Sequence, residues 1–214
     1  MATLTAALFQ QASESAPSGY KLLGRGMNLD LSFLSAPQTS HLLRAEGIWR
    51  ELSSLNSGTS FEVREHCGHS LKTALHHILT VDRRDDPLFP NEGSLFRLSQ
   101  EFAGAGGDIG FFKNELEVQA NLPVIFEDCV LQSSFQCGHL KRLPSASGDK
   151  TMTIADKFFL GGPLNVRGFD TRGLGPSSGN NALGGTMYWA TGTMHFLCSK
   201  LCRIQPVIKF EPRL

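Results

Sequence analysis

The sequence predicts an all-β fold in which antiparallel strands follow one another along the chain as a meander. Apolar and polar residues alternate with a period of two over most of the 214 residues. Clusters of glycine, proline, serine and asparagine interrupt the alternation where turns are expected. Convincing helical periods are almost absent. These observations together predict eight or nine strands of about ten residues each.

Residues 1–19 are an unassigned N-terminal segment in this prediction. Residues 2–15 are rich in alanine and include Leu4, Leu8 and Phe9, a composition that favours a short amphipathic helix. The segment has no Arg or Lys, so it lacks the features of a mitochondrial presequence and of a secretory signal.

The strand pattern begins at Tyr20 and continues to Leu197, which defines a barrel-like domain at 20–197 and an off-pattern tail at 198–214. In the first strand Leu29, Leu31 and Phe33 share one face. The alternation predicts further strands at 43–50, from Phe61 onward, and at 71–81, 96–102, 112–122, 130–140 and 184–197.

The strand at 112–122 has the cleanest alternation. Lys113, Glu115 and Glu117 share one face, and apolar residues share the other. The charged face meets outside water in a soluble protein and a wet lumen in a membrane barrel. No apolar run approaches the roughly 20 residues of a membrane-spanning helix, and mean hydropathy is slightly negative. Alternating strands average out near neutral, so hydropathy does not exclude a membrane barrel.

The composition favours few chemical functions. Twenty Lys plus Arg balance twenty Asp plus Glu, which gives no basic field for nucleic acid. The segments 68–72 and 173–179 lack the spacing of a nucleophile elbow and of a dinucleotide fingerprint. Glu115 and Glu117 lie about 7 Å apart along one strand, which leaves glycosidase-like chemistry open, although a polar wall is the preferred interpretation.

Metal binding is also disfavoured. His76 and His77 are neighbours on a strand and point to opposite faces, and His66, Cys67 and His69 are interpreted as turn and wall residues. The five cysteines form no disulfide framework, and Cys198 with Cys202 lacks the second pair of a structural zinc site. We therefore expect no catalytic residue, no metal, no cofactor and no small-molecule substrate.

The stretch from Phe158 to Pro176 is an unusual loop. Its glycines and prolines prevent a regular strand or helix, yet it carries large apolar residues, among them Phe158, Phe159, Leu160, Leu164, Val166 and Phe169. This content predicts that the loop folds back into a cavity. Arg167 would then enter a region of low dielectric constant and need a carboxylate or several carbonyls facing it.

Several motifs resemble one family. The segment 159–169, with Gly161, Gly162, Pro163, Val166, Arg167, Gly168 and Phe169, is similar to the signature loop of the outer-membrane barrel-assembly superfamily, represented in bacteria by BamA. The segment 82–93, with Asp82, Arg83, Pro90 and Gly93, resembles a hairpin motif of that superfamily. The segments 47–52, 68–72 and 183–190 resemble specifically the central barrel subunit of the mitochondrial sorting and assembly machinery.

The resemblance covers roughly 20–197 and implies part of a sixteen-stranded transmembrane β-barrel of the mitochondrial outer membrane, with a lumen loop at 154–183. It implies a role in inserting and assembling β-barrel precursors, and the partners are membrane lipid, those precursors and other subunits of the machinery. It also implies that Arg167 pairs with an acidic residue of a late barrel strand.

The chain departs from the family pattern at both ends. Only eight or nine strands are predicted, so the chain is expected to be truncated, with the acidic partner of Arg167 and the lateral seam outside it. Two alternatives to a barrel-assembly subunit remain: a passive outer-membrane pore and a non-functional truncated isoform. A soluble barrel that binds an apolar ligand is a third.

Overall fold

The computed structural model describes residues 2–124, 129–143, 152–163 and 165–197. These residues form one open sheet of eight antiparallel strands and a small two-stranded ribbon. The strands are β1 (Ala2–Ser15), β2 (Tyr20–Ala36), β3 (Thr39–Ser54), β4 (Gly68–Asp82), β5 (Gly93–Gly107), β6 (Phe111–Pro123), β7 (Cys129–Arg142), β8 (Ser177–Ser178), β9 (Asn181–Ala182) and β10 (Met187–Leu197). Helix α1 (Phe61–Glu65) and two 3-10 turns, Ala16–Ser18 and Ile154–Asp156, complete the elements.

The predicted antiparallel meander is confirmed. Each strand of the large sheet pairs with the strand that follows it, and β7 pairs with β10 across the long connection. Because β8 and β9 pair only with each other, β1 and β10 are the two edges of the large sheet within the described residues. The sheet is therefore a curved, unclosed part of a barrel.

Two element predictions were wrong. Residues 2–15 form strand β1, which pairs with β2 from Ala2 to Ser15, instead of a helix. The alanine content obscured a period of two that places Leu4, Ala6 and Leu8 on one face. The predicted strand from Phe61 onward is helix α1, because Val63 turns inward and is fully buried beside Tyr20 and Leu52. A run of four alternating residues was too short to separate the two cases.

The sheet has two different faces. We call the face that contacts the lumen loop the inner face and the opposite one the outer face. Large apolar residues on the outer face are exposed, among them Met27, Leu29, Leu43, Trp49, Leu75, Phe96, Phe102 and Phe135. Their cross-strand partners share the face, as in the row Leu29, Ala45, Leu75, Phe102 and Phe112. Exposed apolar side chains across a whole sheet are typical of a surface that lies against lipid.

The buried core sits at one end of the inner face, which we call the loop end. One cluster joins Ala74, Ala103, Ile109, Phe111 and Leu140 of the strands and their turn to Phe158 of the lumen loop. A second joins Tyr20, Leu52 and Val63 to Ile154 of the same loop. The lumen loop therefore supplies part of each cluster and closes the core of the sheet.

No helix in the described residues is both long and apolar enough to cross a bilayer. The predicted polar turn at 145–150, Leu164, Cys198, Cys202 and the predicted tail at 198–214 lie outside the described residues.

Candidate functional site

The lumen loop lies against the inner face of the sheet. Phe158, Leu160 and Val166 are buried, and Phe158 makes an edge-to-face contact with Tyr188 of β10 at 4.8 Å between ring centroids. The prediction that the loop folds back and buries its apolar residues is confirmed for these three. It was wrong for Phe169, which is 46% exposed because it lies at the far turn of the loop.

A buried carboxylate attaches the loop to the sheet. The Asp156 side chain, only 2% exposed, accepts a hydrogen bond of 2.7 Å from Arg50 of β3. Lys72 of β4 lies 3.5 Å from the same carboxylate oxygen, and Thr153 donates a 2.5 Å hydrogen bond to the other oxygen. Asp156 is thus held by two strands and by its own turn.

The charges around Asp156 keep it ionised. Burial opposes ionisation, but the Arg50 guanidinium and the Lys72 ammonium outweigh that effect and hold the pKa of Asp156 below its ordinary value. Lys72 also pairs with Glu101 of β5, so the carboxylate belongs to a network that crosses three strands. Removing one member of such a network leaves a buried charge without compensation.

A third cation supports the same turn from β6. The Lys113 ammonium donates a 3.4 Å hydrogen bond to the backbone carbonyl of Asp156 and lies 4.5 Å from the centroid of the Phe158 ring. The loop therefore contacts charged side chains of three neighbouring regions of the inner face, β3, β4 and β6. These contacts fix both the position and the orientation of the loop on the inner face.

Glycines close the backbone of the loop. Gly161 has φ of +109°, and a Cβ there would lie 2.4 Å from the carbonyl oxygen of Asp170. Gly162 donates its N–H to the carbonyl of Phe169 at 3.1 Å, and Leu174 donates to Leu160 at 3.1 Å. The two segments of the loop thus approach too closely for a side chain at Gly161, which gives this part of the predicted signature a physical reason.

The structure places Arg167 differently from the prediction. Arg167 is exposed, as are its neighbours Pro163 and Gly168, and it makes no ion pair with any described residue. The buried charge of the loop is instead the acid Asp156, and the cations belong to the strands. Pairing of Arg167 with an acidic residue of a late barrel strand concerns strands outside this chain and stays a prediction.

Arg172 is the loop cation that makes contacts. Its guanidinium lies 4.0 Å from the centroid of the Phe159 ring and donates hydrogen bonds to Ser18 Oγ (2.9 Å) and the Tyr20 hydroxyl (3.1 Å). It is also the only residue other than glycine with positive φ, +59°, in the described part of the chain. Arg172 thereby connects the loop to the turn between β1 and β2.

The hairpin motif lies at the other end of the sheet, between β4 and β5. Arg84 forms a bidentate pair with Asp82 at 2.9 and 2.8 Å, while Arg83 is exposed and contributes its backbone. Gly93 has φ of +102°, and a Cβ there would meet the Arg83 carbonyl oxygen at 2.2 Å. Pro90 lies in the turn between them. The motif therefore shapes a tight connection and is distant from the lumen loop in the fold.

A cavity of about 480 Å³ lies between the loop and strands β5 to β7 and β10. Lys113, Glu115, Glu117 and Arg97 of the strands face Lys157 and Arg172 of the loop across it. Burial lowers the pKa of Lys157 from its ordinary value. Mixed charges of both signs line the cavity, which is the polar wall that the alternation predicts for Glu115 and Glu117.

The described residues contain no group of three or more His, Cys, Asp or Glu side chains arranged to hold a metal ion. His76 lies on the inner face near Glu46 and Glu101, whereas His77 lies on the outer face, as the strand period predicted. His66 and Cys67 adjoin α1, and the aromatic ring of His69 stacks on Trp49. These histidines therefore have separate structural surroundings.

Sequence reasoning missed Asp156, Arg50 and Lys72. A partial signal existed: Arg50 and Lys72 are basic residues at inner-face positions of β3 and β4, and Asp156 is the acid nearest before the apolar part of the loop. The 106 residues that separate Arg50 from Asp156 gave no local pattern to connect them.

An open antiparallel sheet with an apolar outer face, a charged inner face and a folded loop held inside defines a strand-spanning outer-membrane protein. The Omp85 superfamily domain matches residues 2–197. The chain belongs to the Omp85 superfamily. The match begins within β1, so that strand is part of the family domain.

Relatives from vertebrates are similar over most of this chain. The human protein named Sorting and assembly machinery component 50 homolog is 44% identical over 169 residues, which cover 78% of this chain and 35% of the relative. Its Xenopus tropicalis counterpart is 43% identical over 172 residues, which cover 80% and 35%. The chain thus spans about a third of the length of these relatives. It is a β-barrel segment of the mitochondrial outer membrane.

A solved structure shares the fold. The crystal structure of BamA from Haemophilus ducreyi lacking POTRA domains 1–3 superposes with a TM-score of 0.76 at 16% sequence identity, over 91% of this chain and 41% of that chain. At this identity the similarity concerns the fold. It places the open sheet described above within a BamA-like barrel architecture.

Proposed function

We propose that this chain takes part in the insertion and assembly of β-barrel precursors into the mitochondrial outer membrane, as part of the barrel subunit of the sorting and assembly machinery. The observation that carries the proposal is the attachment of the lumen loop to the inner face through Asp156, Arg50 and Lys72. A passive pore has no need of a loop held inside it by a buried ionic network.

The two edges of the sheet offer the hydrogen-bonding groups that the addition of a strand requires. β1 and β10 each present a row of backbone N–H and C=O groups that no described residue pairs. In lipid such unpaired groups cost several kcal/mol each, so the edges bind other strands strongly. The family's lateral seam is predicted to lie outside this chain, and these two edges offer an incoming precursor strand the same main-chain hydrogen bonds by β-augmentation.

The inner face supplies shelter for polar residues of a precursor. The cavity beside the loop is lined by Lys113, Glu115 and Glu117 together with Arg97, a mixture that accommodates either sign of charge. A growing barrel must turn its polar face away from lipid while its strands pair. The proposed action makes and breaks no covalent bond, so it requires no catalytic residue, cofactor or small-molecule substrate.

The proposal is tested by photo-cross-linking during import into isolated mitochondria. A photoreactive residue replaces Ala7 in the edge strand β1, and the matched control places it at Gln38 in the turn between β2 and β3. We expect adducts with an arrested β-barrel precursor from position 7 and none from position 38. The absence of precursor adducts from position 7 in membrane-integrated chain would contradict an assembly role for this edge.

Deletion of residues 165–170 separates assembly from a passive pore. A pore should keep its conductance without this tip of the lumen loop, whereas we expect an assembly subunit to lose precursor assembly. The matched control deletes exposed residues 85–88 in the connection between β4 and β5. Unchanged precursor assembly after deletion of 165–170 would favour the pore.

A further inference from the structure

The outer face carries a row of polar side chains within its apolar surface. His77, Gln100, Asn114 and His139 lie directly opposite one another on β4, β5, β6 and β7. Polar groups on a lipid-facing surface are costly and mark functional positions by default. The row therefore needs an explanation that the assembly role does not give.

Most of the row is internally hydrogen-bonded. His41 Nδ1 lies 3.2 Å from His77 Nε2, His77 Nδ1 lies 3.4 Å from Gln100 Oε1, and Gln100 Nε2 lies 3.3 Å from Asn114 Oδ1. The ring planes of His41 and His77 differ by 10° with centroids 5.5 Å apart, so the two rings are nearly parallel. Ser35 Oγ lies 3.0 Å from the remaining nitrogen of His41.

One set of tautomers satisfies the whole chain of hydrogen bonds without any charge. Ser35 donates to His41, His41 donates to His77, and His77 then donates to Gln100. Gln100 donates in turn to Asn114. Each residue donates to the next one along the row. The donor groups that remain unused are therefore those of the last two residues, Asn114 and His139.

A cation stands beside those free donors. Lys141 lies two residues after His139 on β7, is exposed, and is directly opposite Phe112 of β6. It forms no ion pair with a carboxylate in the described part of the chain. Lys141 is also next to the last residue of its strand, at the loop end of the sheet, where a membrane strand reaches the lipid headgroups.

An apolar groove leads away from this cationic end. It has a volume of about 520 Å³ and is lined by Leu29, Ala45, Leu75, Phe102 and Phe112, with His77 and Gln100 along its other side. The small side chain of Ala45 makes the depression. From Phe112 to Leu29 the groove crosses five strands, and from Lys141 on β7 to β2 the distance is about 24 Å at the usual strand spacing.

We infer that this surface binds an anionic phospholipid of the bilayer. The phosphate contacts the Lys141 ammonium and the donors of His139 and Asn114, and an acyl chain lies in the groove beside Phe112, Phe102 and Leu75. Charge complementarity decides the occupant: Asn114 and His139 are register partners on the outer face, and the full positive charge of Lys141 stands two residues further toward the loop end of the sheet. The inference is independent of the proposed assembly function.

A membrane-spanning helix of a partner protein fits these observations less well. The polar row has satisfied its own hydrogen bonds from Ser35 to Gln100, so a helix that crossed it would find few free groups in mid-row. The free donors sit at the membrane edge instead. A lipid uses both that edge and the groove.

Photo-cross-linking at Met187 tests the inference. Met187 of β10 is 62% exposed and directly opposite His139, and it contributes no polar contact to the site. Chain with a photoreactive residue at 187 is reconstituted into phosphatidylcholine vesicles that contain a minority of phosphatidylglycerol. We expect the lipid adducts, identified by mass spectrometry, to be enriched at least about fivefold in phosphatidylglycerol over the vesicle composition, a free-energy preference of about 1 kcal/mol.

Two variants give the comparison. Lys141→Gln should return the adducts to the bulk lipid ratio, because it removes the charge but keeps most of the side-chain length. Lys21→Gln is the matched control: Lys21 is also a strand lysine of the outer face, but Glu14 neutralises it at 2.8 Å, so the enrichment should remain. Adducts in the bulk ratio from the parent chain would overturn the inference.

The same photoreactive chain imported into isolated mitochondria completes the test. Adducts with anionic phospholipids are expected there too. A discrete protein adduct at position 187, formed equally by the Lys141→Gln variant, would overturn the inference in favour of a protein occupant.

Discussion

The inner and outer faces of this sheet handle polarity in opposite ways. On the inner face Asp156, Arg50 and Lys72 are charged and paired with one another. On the outer face His41, His77 and Gln100 form a neutral chain of hydrogen bonds. Both arrangements cross several strands, the inner one buried beneath the lumen loop and the outer one against lipid.

The difference follows from what each face contacts. The inner face faces a wet lumen and a loop, so the chain supplies countercharges and full ions are tolerated. The outer face lies against lipid, which offers no hydrogen bonds. Neutral polar groups that hydrogen-bond to one another therefore have the lowest free-energy cost there. The exposed cation of the outer row, Lys141, is correspondingly placed at the edge of the membrane.

The largest expected effect comes from breaking the inner network. Asp156→Ala leaves Arg50 buried without a carboxylate and Lys72 with Glu101 as its only acidic partner, which should destabilise the docked loop by about 3–5 kcal/mol. Trypsin cleavage in the lumen loop, which contains Arg167 and Arg172, measures the loss of docking. Asp170→Ala, an exposed acid of the same loop, is the control, and equal protection of the two variants would contradict the role of Asp156.

Breaking the outer row should have a smaller effect. His77→Leu leaves the donor of His41 and the acceptor of Gln100 without partners, at a cost of about 1–3 kcal/mol. The double variant His41→Leu with His77→Leu removes both partners of the bond between the two rings and should recover the part of that loss that comes from His41, while Gln100 Oε1 stays without its donor. The urea midpoint of each variant, reconstituted in vesicles, measures its stability. If the loss in the double variant equals the sum of the losses in the two single variants, the two histidines are not coupled and the hydrogen-bond chain is contradicted.

A smaller effect still is expected at the loop cation. Arg172→Lys loses the planar stack on Phe159 and part of the hydrogen bonding to Ser18 and Tyr20, about 1 kcal/mol. The expected outcome is a modest increase in the rate of proteolysis within the loop at unchanged urea midpoint of the sheet. Arg167→Lys should leave that rate unchanged within this chain, because Arg167 is exposed.

Acidification should weaken the docking of the lumen loop on the inner face without any mutation. The pKa of folded Asp156 is held below its unfolded value near 4, so its contribution to stability is complete above that value and is lost as pH falls through the lower, folded value. Loop protection should therefore be equal at pH 7 and pH 5 and fall only below about pH 4. Asp156→Asn should remove this acid-dependent step, and a step that persists in the variant would assign it to another group.

Much of the fold followed from the sequence because strand period is a local property. Leu29, Leu31 and Phe33 on one face, or Lys113, Glu115 and Glu117 on the other, are visible within one strand. Alanine-rich β1 was misjudged because small residues carry little periodic signal, and α1 because its alternation was short. Signature residues such as Gly161 and Val166 were recognisable because a close backbone approach and a buried side chain need particular residue types.

The electrostatics of the site could not be read in the same way. Arg167 was the obvious loop cation, yet Arg172, five residues later and at a positive φ, makes the contacts with Ser18 and Tyr20. Asp156 lies between β7 and β10, far along the chain from Arg50 of β3 and Lys72 of β4. Such pairings depend on the curvature of the whole sheet, and no spacing within the sequence encodes them.

The attachment of the loop also has a consequence for the order of folding. Each strand pairs with its neighbour along the chain, so the sheet can zip up hairpin by hairpin with little entropy of loop closure. The contacts of Arg50 with Asp156 and of Arg172 with Ser18 span 106 and 154 residues, and they exist only when β1 to β4 are already correctly curved. Docking of the lumen loop is therefore a late event. The ion pairs of Asp156 with its two cations stabilise the sheet only when its strands are paired in the correct register.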